Sequence, residues 1–142
     1  IWTVALEGGE PVQLTSMPGR EMQPRFSPDG TWISFEADLG GTDVRDVYVI
    51  PATGGEPTRL TEHPLNDGGV SWLPDGRSLY FNTGMFFDGS IAEVDIRTGD
   101  IARVASGGSG ELSADGAMFA FTRNTKPADD DQWVPRVHLT PA

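Results

Sequence analysis

Large apolar residues recur at fixed distances from three aspartates along this chain. Each aspartate, at 29, 75 and 115, precedes a glycine, and an apolar residue stands three positions before it and four and six positions after it. These apolar positions are Phe26, Ile33 and Phe35, then Trp72, Leu79 and Phe81, then Leu112, Phe119 and Phe121. Apolar residues two positions apart lie on one face of a β-strand. The pattern therefore predicts an internal repeat of strands.

A second block repeats with the same spacing as the first two aspartates. Residues 8–11 and 54–57 both read Gly-Gly-Glu-Pro, and each block is followed by Leu-Thr, at 14–15 and 60–61. Both pairs of blocks are 46 residues apart, as Asp29 and Asp75 are. Agreement of two blocks on one spacing indicates a repeated structural unit.

The first complete repeat predicts four short strands. We expect them at 23–26, 31–36, 46–51 and 57–61, with a tight turn at Asp29-Gly30, where Asp can bond to backbone amides and Gly accepts a positive φ. Four antiparallel strands in about 40–45 residues are typical of a β-propeller blade. Neighbouring blades cover both faces of each sheet. The sequence therefore predicts an all-β protein, a β-propeller segment of about three four-stranded antiparallel blades, incomplete at both ends.

The repeat also predicts how the 142 residues divide. We expect the end of a preceding blade at 1–16, complete blades at 23–61 and 69–105, and a blade that lacks its outer strand at 110–142, which makes thirteen strands in sets of two, four, four and three. Known propellers have about four to eight blades. We therefore expect a segment of a longer propeller, with self-association that completes the ring as the alternative.

Two stretches resemble a known repeat family. Ser-Pro-Asp-Gly at 27–30, and Asp-Val-Tyr-Val-Ile-Pro-Ala-Thr-Gly-Gly-Glu-Pro-Thr-Arg-Leu-Thr at 46–61, resemble the blades of TolB-type propellers and of the propeller domains of tricorn-like and prolyl-oligopeptidase-like serine peptidases. The third copy departs from the pattern, since Ala114 replaces Pro. The resemblance implies a propeller fold, and its TolB branch implies the bacterial periplasm or cell envelope as the location.

Composition excludes several classes of partner and site. The chain has no cysteine, which excludes disulfides and thiolate metal sites. Its formal charge of −11 argues against nucleic acid and anionic membranes as partners. The longest apolar run, Ala117–Phe121, is far shorter than the roughly 20 residues of a membrane span, so we expect no membrane insertion.

Candidate catalytic chemistry is sparse. The two histidines, His63 and His138, fall in a connection and on a predicted strand, and no Gly-X-Ser-X-Gly elbow is present. The run Asp129–Asp131 does not match the spaced ligands of a calcium loop. We therefore expect no catalytic residue, no metal site and no cofactor.

The long loops carry the positive functional signal. The loops Glu36–Arg45, Asn82–Ser90 and Thr122–Arg136 are expected at one end of the blades, together with the connections Glu62–Gly69 and Ser106–Ser109. Acidic loops with large apolar residues favour recognition of a protein or peptide of cationic and apolar character. The alternative is that the loop aromatics fold back over the blade ends. The candidate interaction surface comprises Asp38, Asp43, His63, Asp67, Phe86, Phe87, Asp88 and Trp133.

Two functions are compatible with these features. The first is a non-catalytic scaffold that mediates protein or peptide interaction. The second is an accessory propeller of a larger serine peptidase or hydrolase, in which the ring gates or positions substrate and the catalytic residues lie elsewhere.

Overall fold

The computed structural model describes residues 1–84, 89–125 and 134–141, with residues 109, 124–125 and 134–141 described as backbone. These residues form thirteen strands and no helix, so none of their elements is a helix that could cross a membrane. The all-β fold class is therefore confirmed. The strands are β1 (Trp2–Thr3), β2 (Val12–Gln13), β3 (Gly19–Phe26), β4 (Trp32–Leu39), β5 (Arg45–Pro51), β6 (Thr58–Arg59), β7 (Asp67–Trp72), β8 (Ser78–Thr83), β9 (Ser90–Asp95), β10 (Ile101–Ser106), β11 (Gly108–Leu112), β12 (Met118–Thr125) and β13 (Val134–Pro141).

The strands pair as antiparallel sheets in chain order. The sheets are β1-β2, β3-β4-β5-β6, β7-β8-β9-β10 and β11-β12-β13, which is the up-and-down order of propeller blades. The chain divides into two compact units, Ile1–Gly68 and Gly69–Ala142.

In the first unit, the two central strands of the four-stranded sheet are buried on both faces. Six consecutive residues of β4 and five of β5 are buried, which is the burial expected for a sheet covered on both sides. One face contributes a cluster that includes Ile33, Phe35, Tyr48 and Ile50. The rings of Phe35 and Tyr48 stack with centroids 5.5 Å apart. The recurring apolar positions of the sequence therefore form the core of this blade.

In the second unit, a shared core joins two sheets. Tyr80 and Ile91 from β8 and β9 pack with Phe119 and Phe121 from β12. The rings of Tyr80 and Phe119 meet edge to face with centroids 5.1 Å apart, an arrangement that adds to the stability from burial.

The repeated aspartate organises the turns before β4 and β12. Asp29 Oδ1 accepts hydrogen bonds from Ser27 Oγ at 2.6 Å and from the Thr31 amide at 3.0 Å. Asp115 Oδ1 accepts the same pair of bonds, from Ser113 Oγ at 2.6 Å and the Ala117 amide at 3.0 Å. These bonds, the serine hydroxyl first, hold the pKa of both aspartates below its ordinary value. The Asp-Gly repeat therefore has a structural role in the turns.

Several strand ends differ from the sequence prediction. Strand β3 begins at Gly19 rather than 23, and β4 continues to Leu39 rather than 36. Strand β6 is limited to Thr58–Arg59. Beyond it, the Val47 amide on β5 donates to the side-chain oxygen Oγ1 of Thr61 at 2.9 Å rather than to a backbone carbonyl. The expected linker 106–109 is reduced to the single residue Gly107 between β10 and β11.

A left-handed residue recurs in the first strand of two sheets. Gln23 in β3 has φ +54°, and Gly69 in β7, 46 residues later, has φ +65°. The register of β3 against β4 shifts between Met22 and Arg25, around this residue. Both repeats thus place one left-handed residue at the same position, and only the second uses glycine there.

Candidate functional site

The structure describes half of the predicted interaction surface. Phe86, Phe87, Asp88 and Trp133 lie outside the described residues, as does the run Asp129–Asp131. The other four predicted residues belong to the first unit, where they lie among further charged side chains at the end of the blade from which the β4–β5 loop emerges. We call this region the acidic end and define it by the carboxylates Glu36, Asp38, Asp43, Glu62 and Asp67.

Asp38 is buried on a strand, whereas the sequence placed it on an exposed loop. Its side chain is 0% exposed and Arg20 lies opposite it in the β3–β4 register. Arg20 Nη2 donates to Asp38 Oδ2 at 3.4 Å and also to Asp43 Oδ1. The Thr42 amide and hydroxyl donate to Asp38 Oδ1 at 3.0 and 3.3 Å. The prediction of an exposed Asp38 was wrong because these donors allow the carboxylate to lie inside an extended β4.

Burial alone would raise the pKa of Asp38, since it disfavours the charged form. The hydrogen bonds from Arg20 and Thr42 outweigh burial and hold the pKa of this carboxyl below its ordinary value. Asp38 is therefore a fixed negative charge that organises the β4–β5 loop. Asp43 in that loop is 83% exposed and available to a partner.

Glu36 is a second buried carboxylate at the acidic end, and it pairs with the partly exposed Arg45. Its side chain is 1% exposed, and Arg45 Nη1 donates to its Oε2 at 2.9 Å. The backbone of Gly68 passes so close that a Cβ atom there would lie 2.7 Å from the Glu36 carboxylate. The Arg45 amide donates to Asn66 Oδ1 at 2.8 Å. Glu36 was expected at the end of a strand, where the loop begins, but it lies inside β4, beneath the surface.

His63 and Asp67 contact each other where β7 begins. They are four residues apart in sequence. His63 Nε2 lies 2.9 Å from Asp67 Oδ1, and the side chain of Asp67 is 0% exposed. Asp67 Oδ2 is buried and has no hydrogen-bond partner among the described residues. Asp67 was expected on an exposed connection and is instead the first, buried residue of a strand, as its pairing with His63 permits.

The acidic end is therefore largely an internally paired network with two exposed carboxylates. Asp43 pairs with Arg20 and Glu62 with Arg59, yet both carboxylates remain accessible to solvent, Glu62 being 79% exposed. Across the described residues, no group of three His, Asp or Glu side chains is arranged to hold a metal ion. Such an arrangement can attract and orient a cationic partner, and it fixes the loops that would contact that partner.

A cavity of about 440 Å³ lies within the second unit and was not predicted. Strands β7 and β8 form one wall with Gly69 and Asn82, and β11 and β12 form the other, where Glu111 and Phe121 are among the lining residues. Asn82 Oδ1 is buried without a hydrogen-bond partner among the described residues. A Cβ atom at Gly69 would lie 2.4 Å from Asn82 Nδ2, so this glycine is required for the close approach.

Two residues of these sites were missed by reasoning from sequence. Arg20 pairs with both Asp38 and Asp43. It could be found only from its position opposite Asp38, which requires the register of the β3–β4 hairpin to be known. Asn82 was assigned to a loop but lies on β8. Its match to Glu36, 46 residues earlier, was the signal that could have marked it as a polar position within a strand.

Comparison with known proteins places the chain in a family. The family model described as the tricorn protease N-terminal beta propeller domain matches residues 1–134. No curated protein sequence matches the chain significantly. The predicted resemblance to TolB-type and tricorn-like propellers is therefore confirmed at the level of the repeat and the fold.

Three solved structures illustrate the shared fold. TolB from Acinetobacter baumannii is 22% identical with a TM-score of 0.71, and the match covers 97% of this chain and 34% of TolB. The β-propeller domain of the Trilobed protease from Pyrococcus furiosus is 15% identical with a TM-score of 0.70, covering 97% of this chain and 45% of that one. The tricorn protease is 16% identical with a TM-score of 0.68, covering 92% and 13% respectively. The chain thus spans less than half the length of each of these proteins.

Proposed function

Because this chain belongs to the family of tricorn protease N-terminal β-propeller domains, we propose that it is a non-catalytic propeller segment that binds peptide segments for a larger hydrolase. The family match over residues 1–134 is the observation that carries this proposal. Its role would be to gate or position a peptide substrate, and the chemistry would take place in another part of the protein.

The charge arrangement supports a preference for basic peptides. The chain has a formal charge of −11, and the acidic end presents Asp43 and Glu62 largely to solvent, although each also pairs with an arginine. Exposed carboxylates steer cationic partners and contribute more to association rate and selectivity than to affinity. We therefore expect basic peptides to associate faster than acidic peptides of equal length, and the difference to shrink as salt is added.

Peptide binding tests the proposal directly. Matched basic and acidic peptides are titrated against the protein at low and physiological ionic strength, and the release of cleavage products is followed in parallel. We expect binding of the basic peptide without hydrolysis by this segment. Equal binding of both peptides, or hydrolysis by these residues alone, would contradict the proposal.

A pair of variants localises the effect. Asp43→Asn with Glu62→Gln removes two charges from the acidic end, and Glu56→Gln with Asp100→Asn removes two exposed charges elsewhere. The first pair is expected to slow association with the basic peptide by about threefold more than the second. Equal effects of the two pairs would show that only net charge matters.

A self-standing interaction scaffold is the second candidate function. The same exposed carboxylates would serve a protein partner as well as a peptide. Deleting the propeller segment from the full-length protein separates the two functions. An accessory role predicts a changed size selectivity of peptide cleavage, and a scaffold role predicts loss of a protein partner. Self-association and a periplasmic or envelope location stay predictions, to be tested by light scattering and by fractionation.

A further inference from the structure

The β1–β2 sheet presents a large apolar side chain to solvent. Trp2 is 59% exposed and lies opposite Gln13 in the β1–β2 register. The residues next to this pair, Ile1 and Leu14, pack against the core that contains Phe35. Successive side chains of a strand point to opposite faces, so Trp2 points away from that core. We call the face of the β1–β2 sheet that carries Trp2 the Trp2 face.

The repeat shows how a complete sheet uses the position of Trp2. Tyr48 stands 46 residues after Trp2, and its register partner Arg59 stands 46 residues after Gln13. Tyr48 is 3% exposed, and its ring stacks on that of Phe35. Trp2 is therefore an exposed aromatic residue at a position that the complete sheet buries.

The β11–β12–β13 sheet has a cavity instead of a large side chain. The cavity has a volume of about 210 Å³, and Glu111, Ser113, Met118 and Ala120 are among its lining residues. The register puts these four side chains on one face, because Glu111 lies opposite Ala120 and the Ser113 amide donates to the Met118 carbonyl at 2.8 Å. We call this face the Ala120 face. The other face of the sheet packs against β8 and β9.

The repeat also accounts for the cavity. Ala120 stands 40 residues after Tyr80, as Asp115 stands 40 residues after Asp75. Tyr80 is 4% exposed and meets Phe119 of the next sheet edge to face, with ring centroids 5.1 Å apart. A large side chain at this position fills the contact between two sheets, whereas Ala120 offers only a methyl group. A side chain that fills the cavity therefore has to come from whatever packs on the Ala120 face.

Consecutive sheets of the second unit stack in a defined order of faces. The face of the β7–β10 sheet that carries Tyr80 packs on the face of the next sheet that carries Phe119. The Ala120 face is of the first kind, since Ala120 is the repeat equivalent of Tyr80. The Trp2 face is of the second kind, because Tyr48 shares its cluster with Ile33, the repeat equivalent of Phe119. An Ala120 face against a Trp2 face would thus repeat the stacking that the chain already uses.

We propose that two copies of this chain associate head to tail, with Trp2 of one copy in the cavity on the Ala120 face of the other. The indole ring packs on Ala120 and on the polarisable sulfur of Met118, and the indole N–H donates to the exposed Glu111 carboxylate. The interface joins two different faces, so it is heterologous. The inference goes beyond the proposed peptide binding and is independent of it, because the acidic end takes no part.

Charge gives this contact a salt dependence opposite to that of peptide binding. Each copy has a formal charge of −11, so two copies repel one another. Added salt screens that repulsion and should tighten the association, whereas it should weaken the binding of a basic peptide. Failure of one proposal is therefore distinguishable from failure of the other.

Sedimentation equilibrium tests the association itself. The protein is measured over a wide range of concentration at about 0.05 and 0.5 M salt. The mean mass is expected to rise above the 15.3 kDa of one chain with increasing concentration, and to rise further at the higher salt. A mass of one chain at every concentration would overturn the proposal and leave the Trp2 face to a different partner. Weaker association at the higher salt would also overturn it.

Three variants localise the contact. Trp2→Ala removes the inserted side chain and should weaken association by at least about thirtyfold, as for a central aromatic residue of an interface. Ala120→Tyr supplies the residue of the preceding sheet, fills the cavity and should weaken association by about tenfold. Phe26→Ala is the matched control, since Phe26 is 58% exposed, and it should leave association unchanged. Melting temperatures establish that each variant is folded. Equal association of Trp2→Ala and Phe26→Ala would overturn the proposal even if Ala120→Tyr does not fold.

Disulfide trapping tests which faces meet. The chain has no cysteine, so Gln13→Cys and Glu111→Cys each carry a single thiol, one on the Trp2 face and one on the Ala120 face. Under mild oxidation, a mixture of the two variants is expected to form mixed disulfide dimers faster than either variant forms dimers alone. Faster linkage of Gln13→Cys to itself would show that like faces meet, and the head-to-tail contact would be wrong.

Discussion

The ion pair between the buried Glu36 and the partly exposed Arg45 makes a sharp prediction about stability. We consider Arg45→Leu, which removes the guanidinium and leaves a shorter aliphatic side chain. At 2.9 Å and an effective dielectric constant of about 20, the attraction between the two groups is about 6 kcal/mol before desolvation is counted. Removing one partner of a buried pair costs about 3–5 kcal/mol, because the other charge stays buried. Since Arg45 is 36% exposed, we expect the lower end, a loss of about 3 kcal/mol in the free energy of unfolding.

A double-mutant cycle separates this cost from lost packing. Glu36→Gln with Arg45→Leu removes both charges, so the double variant should be more stable than Arg45→Leu alone by about 2 kcal/mol. Arg97→Leu, at an exposed position, is the matched control and should change stability by less than about 0.5 kcal/mol. Urea unfolding followed by tryptophan fluorescence measures the wild type, Glu36→Gln, Arg45→Leu, the double variant and Arg97→Leu. A loss below about 1 kcal/mol for Arg45→Leu, or no recovery in the double variant, would refute the account of Glu36 as a buried charge that needs its arginine.

Three further predictions concern backbone strain, an unpaired hydroxyl and acid stability. Gln23→Gly should raise the free energy of unfolding by about 1 kcal/mol, because it relieves the strain of a left-handed non-glycine residue. Gly69→Ala should lower the free energy of unfolding by about 2 kcal/mol, because it introduces that strain. Changes of the same sign for the two variants in urea titrations would contradict this. Tyr48→Phe should raise it by about 1 kcal/mol, because the Tyr48 hydroxyl is buried without a partner among the described residues; a loss would point to a bound water. The pKa values of Asp29 and Asp115 are lowered in the fold, so their stabilisation is present above 3.8 and is lost as pH falls through the lower folded values. The melting temperature should therefore drop below about pH 4, and drop less when both are Asn; identical pH profiles of the two proteins would refute this role.

The spacing of the repeated apolar residues and Asp-Gly pairs was sufficient to predict the fold class. Residues two positions apart, such as Ile33 and Phe35, must lie on one face of a strand, and Asp29-Gly30 must turn. These are local properties, set by backbone geometry and side-chain chemistry within a few residues. The residues that the structure describes form thirteen strands, in sheets of two, four, four and three.

Which carboxylates are exposed was decided only by the tertiary structure. Asp38 and Asp43 both fall in the segment that the sequence predicts as a loop, yet Asp38 is fully buried and Asp43 is largely exposed. Arg20 reaches Asp38 because β3 pairs with β4 in the register that places these two residues opposite each other. The cavity beside Asn82 likewise depends on two strands that are distant in sequence. Pairing energies between distant residues are invisible to a local pattern. The sequence thus determined the blades, and strand register and packing determined which polar groups remain for a partner.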